Sequence, residues 1–173
     1  MKTFILCGGY GTRLDAEGKR IPKALIKIGK EPIIFHLIKT FIKFEINEFV
    51  LCMGYKKNLI EKYFSKKFKK LGIVYKKKNY KIIKTKILNK SVSIYLIDTG
   101  LKSGTGGRLK IANNIIKNKE DFLMTYCDGL ANVNIIELIN KHKKFKKLVT
   151  VTAVQPKHRY GVMKLKNNLV TDF

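Results

Sequence analysis

Apolar and polar positions along this chain follow two rhythms. Short apolar runs with the length and side-chain types of buried strands cover Phe4 to Leu6, Glu48 to Met53, Phe122 to Tyr126 and Val149 to Val154. Ile73 to Tyr75, Ile82 to Leu88 and Val92 to Ile97 read as further strands, with a lysine-decorated excursion at the sheet edge. Two short strands, around Val162 to Leu165 and Leu169 to Val170, come last. Between these runs the apolar residues recur with helical spacing. Ile34, Leu37, Ile38 and Phe41 follow the i, i+3, i+4, i+7 rule, and Pro32 suits the first turn. Further helices are predicted over Asn58 to Phe64 and Val133 to Lys144. Another, capped by Thr105, carries Leu109, Ala112, Ile115 and Ile116 on one face. Repeated βα units predict an α/β, Rossmann-like, doubly wound and mostly parallel sheet. With no internal repeat and no Pro/Ser-rich linker, residues 1–173 read as a single domain.

In such a sheet ligands bind where the strands end. The first strand stops at Gly8-Gly9-Tyr10-Gly11-Thr12-Arg13-Leu14. Glycines let the backbone bring N–H groups close to a polyphosphate, Thr12 adds a hydroxyl, and Arg13 adds a planar fork of donors. An ordinary strand-end turn has the same composition, so the loop alone does not decide the matter. It is not a Walker loop, because no Gly-Lys-Ser/Thr follows, and Leu14 stands where a dinucleotide fingerprint needs its third glycine. Two other junctions share the edge: Gly104-Thr105-Gly106-Gly107-Arg108, and Asp128 after Phe122 to Tyr126. A carboxylate at a strand mouth can hold Mg²⁺ against phosphate oxygens, although an Asp-Gly turn explains it as well. Lys23, after a polar loop, can return its ammonium to the same edge. Three unusual junctions on one edge predict a nucleotide site.

Composition narrows this little. The 173 residues, 45% hydrophobic, suffice for one core. The formal charge of +25 raises nucleic-acid binding as a competing function, but only Arg13, Arg20, Arg108 and Arg159 are arginines. The lysines spread over the whole chain without stacking aromatics at a readable spacing, which fits solvated faces better than a specific nucleic-acid footprint. Cys7, Cys52 and Cys127 sit singly in or beside apolar runs, the pattern of buried thiols in a reducing compartment. Together with the absence of an apolar stretch of the roughly 18 residues that a span needs, this predicts a cytoplasmic protein with no membrane partner. His36 reads as a packed histidine, His142 as solvated, and His158 as adjoining Arg159.

Taken together, Gly8 to Leu14, Pro22-Lys23, Gly29 and Pro32 resemble the signature of sugar-phosphate nucleotidyltransferases. The segments Val92 to Gly100, Thr105 to Lys110, Tyr126 to Gly129 and Thr150 to Pro156 are similar to the glucose-1-phosphate cytidylyltransferase branch. The resemblance runs over the whole chain. Where that branch tends to have Lys-Pro-Lys-Pro this chain has Ile21-Pro22-Lys23-Ala24, and Lys30 and Cys127 stand where glycine is usual. The resemblance implies CTP and a sugar 1-phosphate as partners and Mg²⁺ as cofactor. It implies that Leu6, Cys7, Gly8, Gly9, Tyr10, Gly11, Thr12 and Arg13 cradle the triphosphate, and that Lys23 contacts phosphate near the reacting phosphorus. Gly104, Thr105, Gly106, Gly107 and Arg108 would close over base and ribose, Asp128 would bind the metal, and Arg159, Tyr160 and Gly161 would lie on the sugar side. Arg13, Lys23 and Asp128 are then the catalytic residues. The resemblance also implies a longer chain, with a Glu-Lys-Pro segment and a second metal-binding aspartate beyond Phe173, and a homo-oligomer at full length. This chain is therefore expected to be an N-terminal fragment. The alternatives are another sugar-phosphate nucleotidyltransferase with a different nucleotide or acceptor, a basic nucleic-acid-binding domain, and a catalytically inactive nucleotide-binding regulator.

Overall fold

The computed structural model describes residues 1–10, 21–70, 72–77, 79–117, 120–154 and 163–172. They fall into two compact units, Met1–Asn132 and Val133–Phe173. In the first, strand β1 (Lys2–Cys7) is followed by a 3-10 turn at Lys23–Leu25 and a small hairpin of β2 (Lys27–Ile28) and β3 (Glu31–Pro32). Helix α1 (Ile33–Ile42), β4 (Glu48–Met53), α2 (Lys57–Lys67), β5 (Ile73–Lys76), β6 (Tyr80–Ile87) and β7 (Lys90–Asp98) come next. The unit ends with α3 (Gly104–Ile116) and β8 (Phe122–Tyr126). Six strands form one sheet in the order β5-β6-β7-β4-β1-β8. β7, β4, β1 and β8 run parallel, and β5 and β6 add an antiparallel edge. The α/β, mostly parallel sheet is as the sequence predicts.

Central position explains the apolar runs. Phe4 and Ile5 in β1 and Phe49, Val50, Leu51, Cys52 and Met53 in β4 are all at 0% exposure, as strands covered on both faces must be. Alternation sorts their side chains. Phe4, Leu6, Val50, Cys52 and Ile97 cluster with Ala112 of α3 on one face. On the other face Phe49 meets Phe41 of α1 edge-on at 6.4 Å between ring centroids. The stripe Ile34, Leu37, Ile38 and Phe41 is buried throughout, and Pro32 occupies the N-cap of α1. Phe64 and Phe68, at the end of α2, extend the aromatic packing through a 6.2 Å pair between Phe35 and Phe68. Two helical layers around one sheet carry the core.

Hairpin geometry follows local chemistry. Leu88 and Asn89 join β6 to β7 with positive φ at both residues, the backbone of a tight two-residue turn that twists with its strands. In the second unit α4 (Ile135–Phe145) starts at Asn134, whose side chain accepts the Glu137 N–H at 3.1 Å. There β9 (Lys164–Lys166) and β10 (Leu169–Asp172) form a hairpin around Asn167 and Asn168, again both at positive φ. Two expectations are corrected. Val149 to Val154 forms no strand: Val149, Val151 and Val154 are exposed at 51% or more, and an apolar run becomes a strand only when a partner accepts its ladder. His142 is not simply solvated, since its Nδ1 lies 2.9 Å from Thr150 Oγ1. No described helix is long and apolar enough to cross a membrane.

Candidate active site

The parallel strands end together. Register pairs Cys7 with Met53, Met53 with Asp98, and Leu6 with Tyr126, so the loops that follow them share one sheet edge. A cavity of about 440 Å³ opens there. Leu6, Cys7, Gly8 and Gly9 line it from the end of β1, and Lys23 from the 3-10 turn. Gly104, Thr105 and Arg108 line it from α3, and Asp128 from beyond β8. Leu101, Lys102, Tyr126 and Cys127 complete the wall. Nine residues predicted for the site from sequence thus meet in one cavity, although the chain separates them by up to 122 positions, from Leu6 to Asp128.

The ionic centre of the cavity is Lys23 with Asp128. The ammonium and carboxylate form a salt bridge, and the side chains keep 38% and 31% exposure. Both charges thus stay within reach of a ligand. The turn that carries Asp128 is fixed to its neighbours. Cys127 N–H donates to Leu6 O at 3.1 Å and Gly129 N–H to Tyr126 O at 3.0 Å. A side chain at Gly129 would meet Thr125 Oγ1 at 2.8 Å, so the turn is closely packed. The thiols nearby are not nucleophiles. Burial pushes the Cys127 thiol up to about 12, helped by the Asp128 charge, and pushes Cys7 well above its ordinary value. Cys52, also buried, is pushed up to about 12.

Among the described residues Arg108 is the one buried cation. It is only 6% exposed. Its Nη1 donates to Gly100 O at 2.6 Å, Thr99 Oγ1 at 3.0 Å and Met53 O at 3.4 Å. Its Nη2 donates to Gly8 O at 2.9 Å and Leu101 O at 3.0 Å. Close approach follows: a Cβ at Gly54 would lie 2.5 Å from both Arg108 Nη1 and Gly100 O. The junction predicted to close over a base is helical here. Gly104 to Arg108 form the opening of α3, with Ser103 rather than Thr105 at the N-cap. Gly104 has φ +57°, which favours glycine, and the Thr105 hydroxyl instead lies 3.3 Å from Tyr126 OH.

The remaining predicted residues are placed differently. Tyr10 packs against Tyr55 at 5.3 Å between ring centroids and does not line the cavity, nor do Gly106 and Gly107. Gly11, Thr12, Arg13, Arg159, Tyr160 and Gly161 lie outside the described residues, as does His158. His36 is half-buried, its Nε2 2.9 Å from Ile28 O. Among the described residues no group of three or more His, Cys, Asp or Glu could hold a metal. Among the described residues that line the cavity Asp128 is the one carboxylate, and one carboxylate is a sufficient protein share for Mg²⁺ when phosphates and water supply the rest. Sequence reading gave no role to Thr99, Gly54 or Asp98. Their signal was position, each falling at or just after the end of a parallel strand. Asp98 accepts the Gly100 N–H at 3.0 Å and pairs with Lys57. Burial opposes its charge, but Lys57 and the Gly100 N–H outweigh burial and hold its pKa below the ordinary value.

Comparison with known proteins shows the family and the fold. The chain is 37% identical over its whole length to a glucose-1-phosphate cytidylyltransferase of Salmonella typhimurium, of which it spans 68%. It is 34% identical to a probable glucose-1-phosphate cytidylyltransferase of Bacillus subtilis, again over all of this chain and 68% of the relative. Among solved structures, HddC from Yersinia pseudotuberculosis complexed with GMP-PN superimposes with a TM-score of 0.61 at 23% identity. That match covers 82% of this chain and about half, 53%, of the other, and shows the shared fold. The Nucleotidyl transferase family profile matches residues 2–173, and with it the chain belongs to the nucleotidyltransferase family.

Proposed function

We propose that this chain serves the transfer of a cytidylyl group from CTP to glucose 1-phosphate, giving CDP-glucose and pyrophosphate. The observation that carries the reading is the convergence of the Gly8-Gly9 strand end, Lys23 and Asp128 on one cavity. The whole-length similarity to glucose-1-phosphate cytidylyltransferases supports the choice of base and sugar. In the reaction a phosphate oxygen of the sugar phosphate attacks the α-phosphorus of CTP in line. A new P–O bond forms, the bond to the β-phosphate oxygen breaks, and pyrophosphate leaves with that electron pair. The attacking group is already ionised, so no general base is needed. Catalysis is then positioning and charge neutralisation.

Each residue has a place in that scheme. The backbone N–H groups of the β1 loop hold the triphosphate, with Gly11, Thr12 and Arg13 continuing it and Arg13 steadying the leaving pyrophosphate. Lys23 places its ammonium against phosphate oxygens near the reacting phosphorus, exchanging its present partner Asp128 for the ligand. The opening of α3, at Gly104 and Thr105, borders the base and ribose. Arg159, Tyr160 and Gly161 belong to the sugar side. Asp128 would hold Mg²⁺, which when bound neutralises charge on the phosphates. The test is thermal protection by each nucleoside triphosphate with Mg²⁺, because a ligand that binds the native state raises its apparent stability. CTP protects more than ATP, GTP or UTP at equal concentration. Equal protection by all four would remove the cytidylyl assignment and leave a general nucleotide site; protection by none would remove the site.

A further inference from the structure

The Gly8 carbonyl at the end of β1 is held by a side chain 100 residues away. Gly8 O accepts from Arg108 Nη2 at 2.9 Å and from the Tyr55 N–H at 3.1 Å, which occupies both lone pairs of the oxygen. No described peptide bond is cis. In a planar trans peptide the N–H points opposite to the C=O, so the Gly9 N–H is turned away from the buried guanidinium. Gly9 itself is exposed and lines the cavity. Among the described residues no backbone hydrogen bond uses its N–H. The same guanidinium holds Met53 O, Thr99 Oγ1, Gly100 O and Leu101 O, and so braces the ends of β1, β4 and β7 against one another.

We propose that Arg108 is a positioning residue: its buried guanidinium fixes the Gly8 peptide so that the Gly9 N–H faces the cavity as a donor to a nucleotide phosphate. The inference rests on the nucleotide reading above and adds the group that orients the phosphate loop. Only arginine suits the post. Five contacts need a planar fork of donors, whereas a lysine ammonium offers three from one point. None of the five partners is a carboxylate, so the positive charge is not neutralised in contact and also favours an anion in the cavity. The brace also dictates its neighbours. A Cβ on Gly8 would stand 2.1 Å from Arg108 Nη1 and 2.5 Å from its Cζ, so glycine is required at position 8 by the guanidinium.

The test titrates wild-type, Arg108→Lys and Thr99→Val proteins with inorganic pyrophosphate and with CTP plus Mg²⁺. It reads affinity by calorimetry and the Gly9 amide by ¹H–¹⁵N correlation spectroscopy, with circular dichroism to verify folding. In the wild type the Gly9 amide signal moves on adding either ligand. Arg108→Lys keeps the charge and loses the fork, so pyrophosphate binds about tenfold more weakly or worse, and the Gly9 signal no longer follows the titration. A residue needed only for folding would not change the Gly9 response in a folded protein. Thr99→Val removes one acceptor of the fork and preserves shape; it weakens pyrophosphate by about threefold, and it decides the matter if Arg108→Lys does not fold. Pyrophosphate affinity within about twofold of wild type, with an unchanged Gly9 response, overturns the proposal. The nucleotide reading fails separately, if pyrophosphate moves Gly9 in an Arg108-dependent way while CTP binds no better than pyrophosphate. If neither ligand binds the wild type, both are wrong.

Discussion

Gly54→Ala is the sharpest structural test of the packing around the cavity. Gly54 follows β4 and has no positive φ, so an added methyl costs nothing in backbone conformation. It costs through contact. The Cβ would lie 2.5 Å from Arg108 Nη1, 2.5 Å from Gly100 O and 2.9 Å from Gly8 O. The latter two are backbone atoms, so the loops after β1 and β7 must part to admit it. Overpacking of this kind costs about 1–3 kcal/mol. Parting the loops also loosens the hydrogen bonds of Arg108 to Gly8 and Gly100, and losing one bond from a charged donor adds about 1.5–3 kcal/mol. The reduced freedom of the unfolded chain returns about 0.4–1 kcal/mol. The net is a destabilisation of about 2–5 kcal/mol, a large fraction of a domain's stability. Urea unfolding measures it as a lower midpoint at unchanged slope. Gly106→Ala is the control: on the exposed start of α3 nothing lies within 4 Å of its Cβ, and alanine there is neutral or stabilising by about 0.5–1 kcal/mol. Equal midpoints for the two variants would refute the account of the three converging loops.

Other outcomes follow from the same structure. The thiols of Cys7, Cys52 and Cys127 are buried and held protonated, so a colorimetric thiol reagent at pH 8 reacts with them only after denaturant is added; rapid reaction in the native protein contradicts their packing. Asp98 has a folded-state pKa below its unfolded value of about 3.9, so its pair with Lys57 stabilises fully above that pH and the contribution is lost as pH falls through the folded pKa. Asp98→Asn therefore shows a flatter loss of stability than wild type between about pH 5 and 2, and parallel curves would mean that the pair contributes nothing. Asp128→Asn removes half of an ion pair that keeps about a third of its surface in solvent, so unfolding stability changes by less than about 1 kcal/mol. The Mg²⁺-dependent part of CTP protection disappears with it, and its persistence would place the metal elsewhere.

What the sequence revealed was what local physics controls. Glu48–Met53 is a strand at the predicted bounds, and the stripe from Ile34 to Phe41 is buried, because periodicity is written within a few residues. Boundaries set by tertiary contacts were harder to read. Thr105 has the chemistry of a cap, yet α3 begins before it at Gly104, whose φ of +57° no composition reveals. Val149 to Val154 has the apolar content of a strand and no described partner. For the site, glycines and charges at strand junctions marked where Gly8, Lys23, Thr105 and Asp128 meet. The role of Arg108 was hidden. As one cation in a segment of glycines it resembles a ligand contact, and only the fold shows its donors turned to the carbonyls of Gly8, Met53, Gly100 and Leu101.

The most direct test is a crystal structure of this chain with CTP and Mg²⁺. The account predicts triphosphate density in the cavity at the ends of β1 and β8, with phosphate oxygens at hydrogen-bond distance from the Gly9 N–H and Lys23 Nζ, and Arg108 still bound to Gly8 O. Density for the nucleotide anywhere else, such as the lysine-lined hollow between Lys70, Lys84 and Lys86 at the opposite end of β7, would contradict it.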